Sequence, residues 1–257
     1  MLLFGLAAVL SMAAQASFMA TLRKRGCGAR ELRCNDGQPT ELTLEMKQLR
    51  DMDSSLSDDV VLKSLFDWPE LRSLKQLRIS WLQGDVPAVP SELCNFVQLE
   101  LLQLTGSGLQ SVPSCLAKLE LKELSLGANR LQTLPATFSG MRSLRKLNLA
   151  NNQFDEFPEA ILSLKNLEEL FLQHNRLTSV PSGLQKLQKL RRLSLVGNRL
   201  TALPEELGRI PSLKALMLDG NRLDDIPSSL KPLWLAGGLH ADGNPMDQRR
   251  PRPDGEL

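Results

Sequence analysis

Side chains that commonly perform catalysis or bind metals are scarce in this chain of 257 residues. It contains only two histidines and four cysteines. Neither His174 nor His240 has a serine or cysteine at a spacing that implies an activated nucleophile. The glycine-rich motifs that cradle nucleotide phosphates are also absent from the sequence. The sequence therefore predicts no catalytic residue, no metal site and no cofactor.

Charge and aromatic content argue against two further classes of site. Lys and Arg total 31 against 29 Asp and Glu, which gives a net charge of +2. A protein that binds nucleic acid usually presents a strongly basic face, so this balance predicts no nucleic-acid partner. Aromatic residues make up 4% of the chain and tyrosine is absent. This composition disfavours a stacking platform for bases or sugars.

Leucine is the residue in clear excess, and its spacing is regular. The chain contains 55 leucines, far more than an ordinary globular domain of this size. Five consecutive units of 23 residues fit the pattern LxxLxLxxNxLxxLPxxLxxLxx. A 22-residue unit precedes them at Leu99, and a 25-residue unit begins at Leu74. The five regular units begin at Leu121, Leu144, Leu167, Leu190 and Leu213, and a truncated unit follows them.

Each of the five regular units predicts the same local structure, with positions numbered from its first leucine, whereas Ser107 and Leu82 replace the asparagine in the two units before them. Positions four to six alternate with a period of two, which indicates a short strand whose leucines lie on one face. The asparagine at position nine is expected to hydrogen-bond backbone groups in the turn that follows. A proline at position fifteen stops a strand from forming on the return segment. The predicted ladder consists of Asn129, Asn152, Asn175, Asn198 and Asn221.

One unit cannot bury its apolar side alone, so neighbouring units are expected to stack into a solenoid. Parallel strands about 4.8 Å apart would give a concave sheet roughly 35 Å long for eight strands. His174 and His240 would then lie three repeats and roughly 14 Å apart, which is too far to share a metal ion.

The repeat resembles the leucine-rich repeat family, in the 23-residue version of Ras-suppressor-like proteins, over roughly residues 40–246. The resemblance implies an α/β solenoid, a right-handed horseshoe with a parallel concave sheet and short helical or irregular convex segments. Residues 74–246 are expected to form seven repeats and a truncated terminal one. The resemblance also implies a non-enzymatic module that binds a partner protein, with a glycan or peptide ligand left open.

Outward-facing positions around the central strand leucine supply the candidate binding residues. Phe171, Met217 and Val196 are among the apolar residues found where solvent is expected, and such anchors amid polar neighbours are typical of partner surfaces. The alternative is that they are isolated surface residues without a role. The predicted concave-face binding residues are Trp81, Leu101, Gln103, Asn148, Phe171, Gln173, His174, Arg192, Val196, Met217 and Asp219.

A second row of outward residues follows the asparagine ladder. The arginines directly after ladder asparagines are expected to align as a basic rim that either steers an acidic partner or simply keeps the repeat soluble. They are Arg130, Arg176, Arg199 and Arg222.

The start of the chain carries a candidate targeting segment. Residues 1–22 contain no charged side chain, and a basic cluster follows at residues 23–25. An apolar run over residues 2–10 and a small-x-small site at residues 14–16 favour a cleaved signal peptide. An uncleaved membrane anchor with cytoplasmic repeats and an organelle transit peptide stay open as alternatives.

Residues 23–73 are expected to form an N-terminal cap with a first strand at residues 40–44 and an amphipathic helix at 56–66. The Cys27 and Cys34 pair is similar to the cap of plant-type extracellular leucine-rich repeat proteins. That resemblance implies a Cys27–Cys34 disulfide and an oxidising compartment. Cys94 and Cys115 are instead expected to be buried free thiols, with a bridge between them left open as the alternative. Residues 247–257 are predicted to be a disordered tail.

Two functional hypotheses follow. The first is a secreted recognition module that binds a protein on its concave face. The second is an intracellular signalling scaffold of Ras-suppressor type, cytoplasmic or membrane-anchored. A membrane is a partner only if residues 1–22 stay uncleaved.

Overall fold

In the part of the chain that the structure describes, ten short strands form one continuous sheet. The computed structural model describes residues 32–45, 62, 65–80, 88–106 and 108–249. Each strand lies beside its neighbours in sequence, and all adjacent pairs from β2 to β10 are parallel. The strands are β1 Leu32–Asn35, β2 Gln38–Glu45, β3 Gln76–Ser80, β4 Leu101–Thr105, β5 Glu123–Ser125, β6 Lys146–Asn148, β7 Glu169–Phe171, β8 Arg192–Ser194, β9 Ala215–Met217 and β10 Leu239–His240.

The strand leucines build the core as the alternating pattern predicts. Leu147, Leu170, Leu193 and Leu216 are paired in register across neighbouring strands, and none of the four is exposed to solvent. Side chains on either side of each leucine point to the opposite face because a strand alternates with a period of two. The solenoid therefore buries one face of its sheet and leaves the concave face outside, which confirms the predicted horseshoe architecture.

Short 3-10 helices form the convex side. From Ser91 onward, seven of them follow a proline that occupies the N-cap position. A proline fits there because its ring restricts φ and the missing N–H is not needed at a helix start. The 3-10 helices are Pro69–Ser73, Ser91–Asn95, Ser114–Lys118, Ala136–Gly140, Glu159–Ser163, Ser182–Lys186, Glu205–Arg209, Ser228–Leu230 and Pro245–Arg249, and an α-helix spans Lys231–Leu235.

The asparagine ladder is confirmed in detail. Asn175 is representative: its Nδ2 donates to the Leu172 carbonyl of its own repeat and to the Leu149 carbonyl of the preceding repeat, both at 3.0 Å. Its Oδ1 accepts a 3.1 Å hydrogen bond from the Phe154 N–H of the preceding repeat. The same pattern recurs along the stack and ends with Asn244, and every ladder asparagine is buried. Each ladder side chain therefore joins two repeats.

A β-hairpin covers the N-terminal edge of the sheet. The first strand predicted at residues 40–44 is confirmed as part of β2, and β1 pairs with it antiparallel. Asp36 and Gly37 turn the chain with φ of 48° and 75°, as in two-residue hairpin turns. Cys34 is disulfide-bonded, while its predicted partner Cys27 lies outside the described residues. Most of the predicted 56–66 helix also lies outside them, although Leu65 and Phe66 are helical and fully buried.

The prediction of free thiols at Cys94 and Cys115 is wrong. The two residues form a disulfide that joins successive convex segments, with 5.9 Å between their Cα atoms. Counting from the first leucine of each unit places them at different positions. Counted from the proline before each 3-10 helix, Cys94 is the fourth residue of Ser91–Asn95 and Cys115 is the second residue of Ser114–Lys118. These two helices pack side by side in the stack, as the other successive convex helices do, and the cysteines bridge them from non-equivalent positions.

Position eight has the left-handed backbone conformation in every repeat where the structure describes it. Seven successive units place a residue there with φ between 55° and 72°. Four of these residues are glycines, which adopt this region without strain. Asparagine and histidine tolerate it better than most residues, whereas alanine is strained there by about 1 kcal/mol. The residues are Gly106, Ala128, Asn151, His174, Gly197, Gly220 and Gly243.

Candidate functional site

The parallel register aligns outward-facing side chains into columns across the concave face. Position three contributes a mostly charged column, and position five a column that mixes polar and apolar residues. The position-three column is Glu41, Gln76, Leu101, Glu123, Lys146, Glu169, Arg192 and Ala215. The position-five column is Thr43, Arg78, Gln103, Ser125, Asn148, Phe171, Ser194, Met217 and His240.

A depression of about 280 Å³ opens on the concave face over strands β4 to β6. The short side chain of Ser125 lies between the longer Gln103 and Asn148 in the position-five column, which leaves space at this point. The lining residues are Leu101, Leu102, Gln103, Thr105, Glu123, Leu124, Ser125, Lys146 and Asn148. The predicted residues Leu101, Gln103 and Asn148 thus come together, whereas Glu123, Ser125 and Lys146 were not among the predicted binding residues.

An apolar ridge lies beside this depression on strands β7 to β9. Phe171 and Met217 are half-buried and stand two strands apart in the position-five column. Ser194 lies between them and is only 4% exposed although it points outward. The longer side chains on both sides therefore cover it. We call Phe171, Ser194 and Met217 the apolar ridge.

Charged side chains flank the ridge along the position-three column. Glu169 forms ion pairs with Lys146 at 3.6 Å and with Arg192 at 3.4 Å. The Lys146 ammonium also lies 5.9 Å from the centre of the Phe171 ring, within the range of a cation–π interaction. The predicted residue Arg192 is therefore held beside the ridge by Glu169.

The other predicted residues lie at the ends of the strands. Gln173, Val196 and Asp219 occupy position seven and are partly exposed. The Asp219 carboxylate accepts a 2.7 Å hydrogen bond from the Asp242 N–H, which gives it a structural role. His174 is exposed at position eight. Trp81 lies outside the described residues.

Two features elsewhere on the surface compete with the concave face as binding sites. A hollow of about 530 Å³ separates the turns of two late repeats. The Glu205 carboxylate in this hollow already stabilises the fold, because it accepts hydrogen bonds from Ser228 and Ser229, and those from Ser229 lower the pKa of Glu205. The second feature is the α-helix Lys231–Leu235, where Leu235 is 89% exposed.

Two classes of site find no support in the part of the chain that the structure describes. No group of three or more His, Cys, Asp or Glu side chains there is arranged to hold a metal ion. None of the described helices has the length and apolar character needed to cross a membrane.

Comparison with protein families identifies the repeat. A family model described as leucine rich repeat matches residues 97–154, and a model for two copies of leucine rich repeats matches residues 165–207. The chain contains leucine-rich repeats. Leucine-rich repeat domains are generally protein-interaction modules and are typically not enzymes.

Solved structures of other leucine-rich repeat proteins share the fold. A leucine-rich repeat protein of Leptospira interrogans superposes with a TM-score of 0.67 at 28% identity, over 80% of this chain and 55% of that one. This leucine-rich repeat chain thus spans little more than half the length of that relative. No match was found among curated protein sequences.

Two more distant structures extend the comparison. An internalin of Listeria monocytogenes has a TM-score of 0.56 at 18% identity, covering 80% of this chain and 74% of the internalin. The plant peptide hormone receptor RGFR1 in complex with RGF2 has a TM-score of 0.59 at 22% identity, covering 85% of this chain and 37% of the receptor. At these identities the likeness shows the solenoid fold alone.

Proposed function

We propose that this leucine-rich repeat protein is a secreted, non-enzymatic recognition module that binds a partner protein on its concave face. The observation that carries the proposal is the apolar ridge, because Phe171 and Met217 stand half-exposed on a sheet that backbone pairing holds rigid. Anchors of this kind lose little conformational freedom on binding, so more of the interaction energy appears as affinity. The adjoining depression and charged column supply polar contacts around the anchors.

Phe171→Glu is expected to weaken partner capture by about 2 kcal/mol or more, roughly thirtyfold in affinity. The change places a charge at a position that partner binding would remove from water. The fold is expected to stay intact because this side chain lies outside the leucine core. The measurement is capture of proteins from an extracellular extract of the source organism on the immobilised chain, followed by titration of the captured protein against wild type and variant.

Leu235→Glu is the matched control, since it makes the same kind of change at the large apolar side chain that is most exposed among the described residues. The variant is expected to bind like the wild type. Loss of capture in Leu235→Glu together with unchanged capture in Phe171→Glu would move the binding surface to the C-terminal helix and defeat the proposal.

Secretion is supported by the disulfides at Cys34 and at Cys94–Cys115, because structural disulfides form in oxidising compartments. Protein recovered from the medium is expected to begin after Ala16 and to contain no free thiol by mass spectrometry without reductant. An intact Met1 together with reduced cysteines would favour the alternative, an intracellular signalling scaffold of Ras-suppressor type.

A further inference from the structure

Six charged residues cluster where three neighbouring strands begin. They occupy positions two and three of the units that start at Leu144, Leu167 and Leu190. We call them the strand-start patch: Arg145, Lys146, Glu168, Glu169, Arg191 and Arg192. Four cations surround two carboxylates, so the patch carries a local excess of positive charge in a chain that is nearly neutral overall.

The carboxylates lie in the middle of the patch, and each one binds a cation on both sides. Glu168 pairs with Arg145 at 3.3 Å and with Arg191 at 3.9 Å. Glu169 pairs in the same way with Lys146 and Arg192. Each carboxylate therefore uses both of its oxygens inside the patch.

Exposure separates the two kinds of charge. The side chains of Arg145, Arg191 and Arg192 are 65%, 60% and 60% exposed, whereas those of Glu168 and Glu169 are 28% and 26% exposed. Each guanidinium contacts its carboxylate through a single nitrogen and carries five N–H donors. A ligand approaching the patch consequently meets cations that still have donors to offer.

We propose that the strand-start patch binds an acidic segment of the partner protein. This inference rests on the proposed function, and it identifies the bound segment of the partner protein as acidic. The outer cation pairs belong to strands two apart, roughly 10 Å from each other. An extended polyproline-II segment brings every third residue to the same side at about 9.3 Å, so acidic residues at that interval reach both pairs. Glu168 and Glu169 lie between the two cation pairs, so they repel any acidic residue of the ligand that lies between the two acidic residues bound by those pairs.

The position of the patch favours a polypeptide over a sulfated glycan. Lys146 belongs to the patch and also lies over the Phe171 ring, so the patch is continuous with the apolar ridge. A protein segment offers carboxylates and apolar side chains together, and thus engages both surfaces. A sulfated glycan offers anionic groups but little apolar surface to match Phe171 and Met217.

The test uses two fluorescein-labelled peptides of about twelve residues with polyproline-II character. One carries Glu at every third position with Pro, Ser and Leu between, and the other carries Lys in place of each Glu. Fluorescence anisotropy with the full chain is expected to show at least about tenfold tighter binding of the Glu peptide, weakening as salt is raised. Equal binding of the two peptides would overturn the proposal.

Arg191→Ser combined with Arg192→Ser is expected to weaken binding of the Glu peptide by about tenfold. The matched control is Arg142→Ser with Arg209→Ser, which removes two exposed arginines from the convex side and is expected to leave binding within about twofold. Urea unfolding checks that both variants fold, since exposed ion pairs contribute only about 0–1 kcal/mol each.

Three outcomes separate this proposal from the proposed function. If the two double variants lose equal affinity for the Glu peptide, the attraction between peptide and protein is non-specific, and the proposed role of the strand-start patch is overturned. Tighter, Arg191-dependent binding of a heparin oligosaccharide than of the Glu peptide would assign the patch to sulfated glycans instead. If capture of the partner protein is weakened by Phe171→Glu but not by Arg191→Ser with Arg192→Ser, binding on the concave face is supported and the acidic-segment inference is overturned.

Discussion

Asn175→Ala is expected to lower the free energy of unfolding by about 3 kcal/mol or more, through the loss of several buried hydrogen bonds. The Asn175 side chain is only 6% exposed and bonds the Leu149 and Leu172 carbonyls and the Phe154 N–H. Alanine leaves the Phe154 N–H buried without a partner, which costs about 1–3 kcal/mol. The Leu149 and Leu172 carbonyls each lose one hydrogen bond but keep those from Asn152 and Asn198, so each of these losses costs about 1 kcal/mol. Urea unfolding followed by circular dichroism measures the loss.

Asn166→Ala is the matched control for the ladder. Asn166 bonds the Arg142 carbonyl and Lys189 on the exposed surface, where water replaces a lost partner. The expected cost is therefore below about 1 kcal/mol. If Asn166→Ala and Asn175→Ala lower the free energy of unfolding by similar amounts, burial of the ladder asparagines does not determine how much they stabilise the fold.

Removing the Cys94–Cys115 disulfide is expected to cost about 3 kcal/mol, since the bond closes a loop with a sequence separation of 21 residues. The bridge joins two convex segments and restricts the unfolded chain across two units. Urea unfolding without reductant, comparing the wild type with Cys94→Ser plus Cys115→Ser, measures the difference.

The single variants provide the check, because either one breaks the same bond. Cys94→Ser, Cys115→Ser and the double variant are expected to lose nearly equal amounts of stability, which gives strong coupling in a double-mutant cycle. Additive losses would instead show that the two side chains contribute separately through packing.

Much of the fold could be predicted because the decisive chemistry is local and recurs in every unit. The strand leucines, the ladder asparagines and the convex prolines each act within one repeat or on its immediate neighbour. A pattern such as that around Leu170 and Asn175 therefore determines both a structure and its place in the stack. The horseshoe, the ladder and the convex turns follow directly.

The features that were missed depend on departures from the repeat. Cys94 and Cys115 occupy non-equivalent positions in two irregular units of 25 and 22 residues, so counting repeat positions does not reveal that they pair. The hairpin before β2 also went unpredicted, although Asp36-Gly37 is a strong turn signal that the sequence displays. The structure of an irregular segment depends on contacts that do not recur in neighbouring units, so the repeat pattern does not predict it.

The candidate site could be predicted only in part. Counting positions correctly places Leu101, Gln103 and Asn148 on the concave face, where they line one depression. The same counting does not reveal that Ser125 opens this depression or that Glu168 and Glu169 each bridge two cations. These properties depend on side-chain size and rotamer across neighbouring strands, and the identity of a single residue does not determine them.

The direction of the asparagine ladder has a consequence for protein synthesis. Asn198 completes the hydrogen bonding of the Leu177 N–H and of the Leu172 carbonyl, which both belong to the repeat before it. Because the ribosome makes the N-terminal repeats first, each newly made turn keeps unsatisfied polar groups until its successor emerges. At about 5–20 residues per second, a 23-residue unit takes roughly one to five seconds to translate. The native hydrogen bonding of each repeat is therefore completed only after the following repeat has been made.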